Sequence, residues 1–106
     1  MTNVLINAPK TAKPGEIVEI KALILHPMET GFRPGTSGRI IPRNIIERFV
    51  ATWNGAEIFS MAFSPAIAAN PFVSFFAVAK ESGTIGFRWT GDEGFLVEEK
   101  VAITVG

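Results

Sequence analysis

Asn54-Gly55, set between two runs of alternating apolar and polar residues, narrows what this chain can become more than any other feature. A type I′ turn needs positive φ at both central positions, and Asn followed by Gly meets that demand at least cost. Before it, Ile45, Phe49, Ala51 and Trp53 alternate with Arg48 and Thr52; after it, Glu57 to Phe63 is long enough to pair back. The spacing predicts a hairpin, and with it antiparallel β structure at the centre of the chain.

The other apolar runs fit the same plan, being short, rich in Val, Ile, Phe and Trp, and separated by turn residues. Val4 to Asn7 ends at Ala8-Pro9. Glu16 to Leu25 places Val18, Ile20, Ala22 and Ile24 on one parity and Glu19 and Lys21 on the other, so one face is buried and one begins wet. Ser64 to Pro71 holds two prolines that remove ladder donors, and it reads as a crossing from one sheet to the other. Pro71 to Ala79, Thr84 to Thr90 and Phe95 to Val105 complete about seven strands, with turns at Glu81-Ser82-Gly83 and Gly91 to Gly94. Glu98-Glu99 marks either a bulge or a solvated edge. No helix is long enough to suggest an α/β fold. The expected fold is all-β, an immunoglobulin-like antiparallel β-sandwich of about seven strands forming one domain over residues 1–106.

Charge and composition remove several functions. Ten basic and ten acidic residues give a net charge of zero, so no single-sign field favours nucleic acid or an anionic membrane surface. With no cysteine there is no disulfide, thiolate metal site or thiol nucleophile. Met1 to Lys10 lacks the basic start and apolar run of a secretory signal. No apolar stretch reaches the roughly 20 residues of a spanning helix.

His26 to Arg43, HPMETGFRPGTSGRIIPR, lies between two strands and is too polar and too broken by Gly and Pro to be either. Segments of that kind longer than roughly 12–15 residues are usually functional or disordered. Phe32, Ile40 and Ile41 among Arg33, Arg39 and Arg43 favour a recognition role. Catalysis at His26 would need an orienting carboxylate, which Glu29 could supply, and also a nucleophile, which the chain does not offer. Strand termination through a hydrogen bond is the simpler role. A lone imidazole beside Met28 is also a poor start for a metal site, so neither a metal nor another cofactor is expected. The carboxylates fall on polar parities or in turns, and the glycines form no phosphate loop.

Pro71 to Ala79 carries only one polar residue, Ser74, so both faces of that strand are apolar. Antiparallel strands usually leave one face to water, and the second apolar face has to be covered by a partner, by the long loop or by a neighbouring strand. The expected partner contacts are His26, Met28, Glu29, Phe32, Arg33, Arg43, Phe72 and Phe76, with the arginines as a polar rim. Trp53 and Trp89 share the apolar parity of their strands and belong in the core.

Taken in order, His26-Pro27-Met28-Glu29-Thr30-Gly31, Ile41-Pro42-Arg43 with Ile45-Ile46 and Phe49, Asn54-Gly55 with Phe59, Pro65-Ala66-Ile67 with Asn70-Pro71, Ser74-Phe75-Phe76, Glu81-Ser82-Gly83-Thr84 and Trp89-Thr90 resemble the SoxZ family. The resemblance covers almost the whole chain, most securely from Ile20 to Gly94. Ser64, Ala68 and the stretch from Phe32 to Arg39 depart from the family's pattern, which puts loop contacts in question rather than the resemblance.

That resemblance implies a sandwich that pairs with a second one, SoxY, whose Gly-rich C-terminal arm bears the cysteine carrying the sulfur intermediate of thiosulfate oxidation. The chain would then be a non-catalytic subunit of the SoxYZ heterodimer, stabilising SoxY and helping present its arm to the other enzymes of the system. It would be periplasmic, exported folded with a signal-bearing partner, and would stay in the cytoplasm without that partner. A homo-oligomer is an expectation for the unpartnered chain. The competing reading is a free-standing immunoglobulin-like module that binds protein or carbohydrate through Phe32, Phe95 and the tryptophans.

Overall fold

The structure is a computed structural model that describes residues 4–106; the first three residues of the stretch read as lacking a signal lie outside it. Among the described residues eight strands form two sheets: β1 (Val4–Asn7), β2 (Thr11–Ala12), β3 (Ile17–Ile24), β4 (Ile46–Trp53), β5 (Ala56–Ala62), β6 (Phe72–Val78), β7 (Gly83–Gly91) and β8 (Leu96–Val105). One sheet has the order β1-β3-β6 and the other β2-β8-β7-β4-β5. The strand beyond the expected seven is β2, two residues long. Ala8-Pro9 ends β1 in the small sheet, and the chain then crosses to lie parallel to the end of β8 in the large one.

The predicted hairpin is present. Asn54 and Gly55 have φ of 51° and 86°, and β5 pairs antiparallel with β4. Asn54 also ties the turn to the start of β7, its Oδ1 accepting the Thr84 N–H at 2.9 Å. The crossing between sheets falls at Ser64 to Pro71, between β5 in one and β6 in the other. Two local expectations change. Ile45 and Ile46 are both buried, because a register shift between Ile46 and Arg48 resets the alternation at the start of β4. No bulge forms at Glu98-Glu99: the β7–β8 register runs unbroken from Gly83↔Ile103 to Thr90↔Leu96. Those carboxylates sit on a solvated edge, since among the described residues β8 is joined on its far side only at Thr104 and Val105.

The core lies between the sheets and is held chiefly by aromatic rings. Phe49, Phe87 and Trp89 are buried, with Phe49 and Trp89 centroids 5.0 Å apart. Phe59 of β5 stacks on Phe75 of β6 at 4.7 Å and 3°, joining the two sheets at the edges where each ends among the described residues. Burying each such side chain contributes roughly 1.5–3 kcal/mol, which explains why a chain without disulfides closes at this size.

Candidate partner interface

The segment after β3 is an irregular two-stranded arm rather than a featureless loop. Glu29 and Asn44 exchange backbone hydrogen bonds at its base, at 2.9 and 2.8 Å, and Pro34 bridges Ile40 near its tip. Residues 32–40 are exposed apart from the half-buried Gly35, with Phe32 at 79%. The molecule is 58 Å long and 20 Å across. A ten-residue strand spans only about 34 Å, so the arm accounts for much of the excess.

His26 and Met28 organise the arm's base from within. Both are buried, at 5% and 4% exposure, so their expected role as side chains that meet a partner does not fit their placement. The His26 Nδ1 accepts the Met28 N–H at 3.0 Å, which fixes the neutral tautomer protonated at Nε2. His26 also exchanges hydrogen bonds with Asn70: its N–H donates to Oδ1 at 3.0 Å and its carbonyl accepts the Asn70 N–H at 2.8 Å. Phe95 closes the ring edge-on at 4.9 Å. Met28, with φ of 52°, turns its Sδ to accept the Ile46 N–H at 3.3 Å. Burial holds the imidazole below its ordinary pKa; a contact with Asn44, whose Oδ1 is buried without a well-formed hydrogen bond, and the Asp92 charge pull the other way.

The two expected contact arginines at this end are engaged locally. Arg33 pairs with Glu29 at 2.8 Å, and Arg43 grips Asp92 through two hydrogen bonds of 2.9 and 2.8 Å. Asp92 also accepts the Ile45 N–H, so Arg43 and that amide hold its carboxyl below the usual carboxylate range. Among the described residues, no group of three or more His, Cys, Asp or Glu side chains is placed to hold a metal.

Phe72 and Phe76 stand on the same outward parity of β6, at 59% and 66% exposure, while Val73 and Phe75 point into the core. The arm does not cover them. Cross-strand registers extend this face in two patches: Leu5, Leu23 and Phe72 form one row, and Ile17 with Val78 stands beside Phe76. Between the patches lie Lys21, Glu19 and Ser74, whose hydroxyl donates to Glu19 at 2.9 Å. Around the second patch, a groove of about 640 Å³ runs between the edges of β5 and β6, bordered by Ile17, Trp53, Ile58, Phe76 and Val78. Sequence reasoning missed Leu5, Ile17 and Leu23. Their signal was two apolar residues, Ile17 and Leu23, on the parity of β3 that also carries Glu19 and Lys21.

The model of the family described as "Sulphur oxidation protein SoxZ" matches residues 6–102. The chain belongs to the SoxZ family. Among curated proteins none matches it in sequence. Its fold is similar to the sulfur carrier protein SoxY from Chlorobium limicola f thiosulfatophilum, with a TM-score of 0.68 and 15% identity over 97% of this chain and 78% of that one. It is also similar to superoxide reductase (neelaredoxin) from Ignicoccus hospitalis, with a TM-score of 0.70 and 18% identity over 99% and 82% of the two chains. At these identities the likeness shows the sandwich alone. SoxZ membership gives the chain a place in sulphur oxidation.

Proposed function

We propose that this chain is the non-catalytic subunit of a SoxYZ-type sulfur-carrier heterodimer, stabilising a cysteine-bearing SoxY-like subunit and helping present its arm to the other enzymes of thiosulfate oxidation. The observation that carries this reading is the uncovered apolar face on the small sheet, where Phe72 and Phe76 stand outward on a strand that contains no charge. An apolar patch of this size on a soluble sandwich marks a surface made to be covered. The chain has no cysteine to carry sulfur, and its one imidazole is spent on the Met28 amide and shut off from solvent. In this reading the arm, through Phe32, Arg33, Glu29 and Arg43, contributes the polar rim, and the complex works in the periplasm after export with its signal-bearing partner.

Co-expression with a SoxY-like subunit tests it. A stable one-to-one complex is expected, and in a reconstituted thiosulfate-oxidising system His26→Ala should leave turnover largely intact once the complex has assembled. A chain that ignores the subunit, or a His26→Ala complex that assembles normally yet loses turnover, contradicts the proposal.

A further inference from the structure

Among the described residues β6 is an edge strand, joined to β3 on one side and to nothing on the other. The side on which its backbone groups are free follows from the register. Ile24 N–H donates to the Pro71 carbonyl and Ala79 N–H to the Glu16 carbonyl. Antiparallel pairs alternate, so the inward residues Val73, Phe75 and Ala77 spend their N–H and C=O on β3. Phe72, Ser74, Phe76 and Val78 therefore offer theirs to the open edge. Proteins guard exposed edges with charge, proline or a bulge, and FVSFFAV has none of these.

We propose that this edge pairs with the same edge of a second copy of the chain, antiparallel about a two-fold axis at Phe75. In that register Phe72 faces Val78 of the second copy and Ser74 faces its Phe76, and every free N–H and C=O of the four edge residues on each copy finds a partner. A two-fold axis demands such self-complementarity, and this register meets it with all edge groups used. Nothing in the sequence opposes the pairing: the nearest charge, Lys80, meets Asn70 of the second copy. Phe72 of the second copy arrives beside Val78, at the mouth of the groove that Ile17, Trp53 and Ile58 border. The two small sheets then become one sheet of six strands.

The area sets the strength. Phe72, Phe76 and Val78, at 59%, 66% and 47% exposure, each gain a cross-strand neighbour from the second copy, which covers part of roughly 300 Å² of apolar surface per copy at about 150–200 Å² per large side chain. Edge pairing leaves the outward faces of these side chains in water, so the contact falls below the roughly 1,200 Å² of the smallest specific interfaces. Self-association is therefore weak and concentration-dependent. It does not rest on the sulfur-carrier reading, since the second copy occupies the strand when no other subunit does.

Sedimentation velocity of the isolated chain between about 1 and 200 µM should show monomer giving way to dimer, over the range expected of a small interface. Ser74→Pro removes one edge N–H that β3 does not use, and should keep the chain monomeric throughout with an unchanged circular dichroism spectrum. Because the chain has no cysteine, Ser74→Cys gives a unique site for a spin label. Two labels across the axis lie within about 10 Å and should broaden each other's spectrum, whereas labels at Lys21→Cys, a strand further in, should broaden much less. A monomer at the highest concentration, a dimer untouched by Ser74→Pro, or a dimer with an unbroadened label at 74 overturns the proposal. A chain that stays monomeric alone but loses its SoxY-like subunit on Ser74→Pro assigns the edge to that subunit, and overturns the second copy while upholding the heterodimer.

Discussion

Phe75 and Phe76 are neighbours in sequence with opposite surroundings, and truncating each should separate folding from assembly. Phe76 is 66% exposed. On a ring of about 200 Å², that leaves roughly 130 Å² for a partner to cover, or about 3 kcal/mol at 25 cal/mol per Å². Phe76→Ala should therefore weaken heterodimer formation by up to about 100-fold, while the part already buried costs the free chain about 1–2 kcal/mol at most. Phe75 is 4% exposed, stacked on Phe59 and 6.1 Å from Phe49. Phe75→Ala should cost about 3–5 kcal/mol of folding stability and lower Tm by at least about 10 °C. Calorimetry of each free variant, together with titration of the SoxY-like subunit below the range of self-association, measures both quantities. Wild-type affinity in a folded Phe76→Ala chain would refute the assignment of the outward face, and an unchanged Tm in Phe75→Ala would refute the assignment of the core.

Three further outcomes follow from the arm's base. Burial lowers the His26 pKa, so the unfolded chain takes up this proton more readily than the folded one. The stability due to the neutral ring is present above the unfolded value of about 6.5 and is lost as pH falls through it toward the lowered folded value. Tm measured by calorimetry should drop between pH 7 and pH 5, and His26→Asn should flatten that part of the profile. Asp92 serves both Arg43 and the Ile45 N–H, whereas Arg43 serves mainly Asp92, so thermal melts should place Asp92→Ala below Arg43→Gln. Gly91→Ala would put a methyl onto the Ile45 carbonyl oxygen and 2.8 Å from the Ile46 Cα, backbone that cannot swing aside; chemical denaturation should show a loss of about 1–3 kcal/mol.

The sandwich was legible in the sequence because its signals are local. Asn54-Gly55 dictates its turn, two-residue alternation assigns faces to β3, β4 and β7, and the prolines between Ser64 and Pro71 forbid a continued ladder. What escaped depends on register. Ile45 and Ile46 share the core through a bulge that parity does not reveal, and β2 exists only because residues 11–12 meet the far end of β8. At the candidate interface, Phe72 and Phe76 were found because apolarity on both faces is visible in one strand. Leu5 and Leu23 join them only through the order β1-β3-β6. His26 and Met28 stood out as rare residues in a polar segment, yet their bonds to each other, Asn70 and Ile46 turn them inward. Length and polarity can mark such a segment, but not which of its side chains are folded under it.

The central claim is that this chain is built to be covered by a cysteine-bearing subunit of its own sulphur-oxidation system. Light scattering on a size-exclusion column, run with the chain alone, with that subunit alone and with the two mixed, tests it most directly. The account predicts a single peak at the summed mass of one copy of each, abolished by Phe76→Glu because a charge buried without a partner is costly. Two separate peaks in the mixture, or a complex indifferent to Phe72→Glu and Phe76→Glu alike, would contradict it.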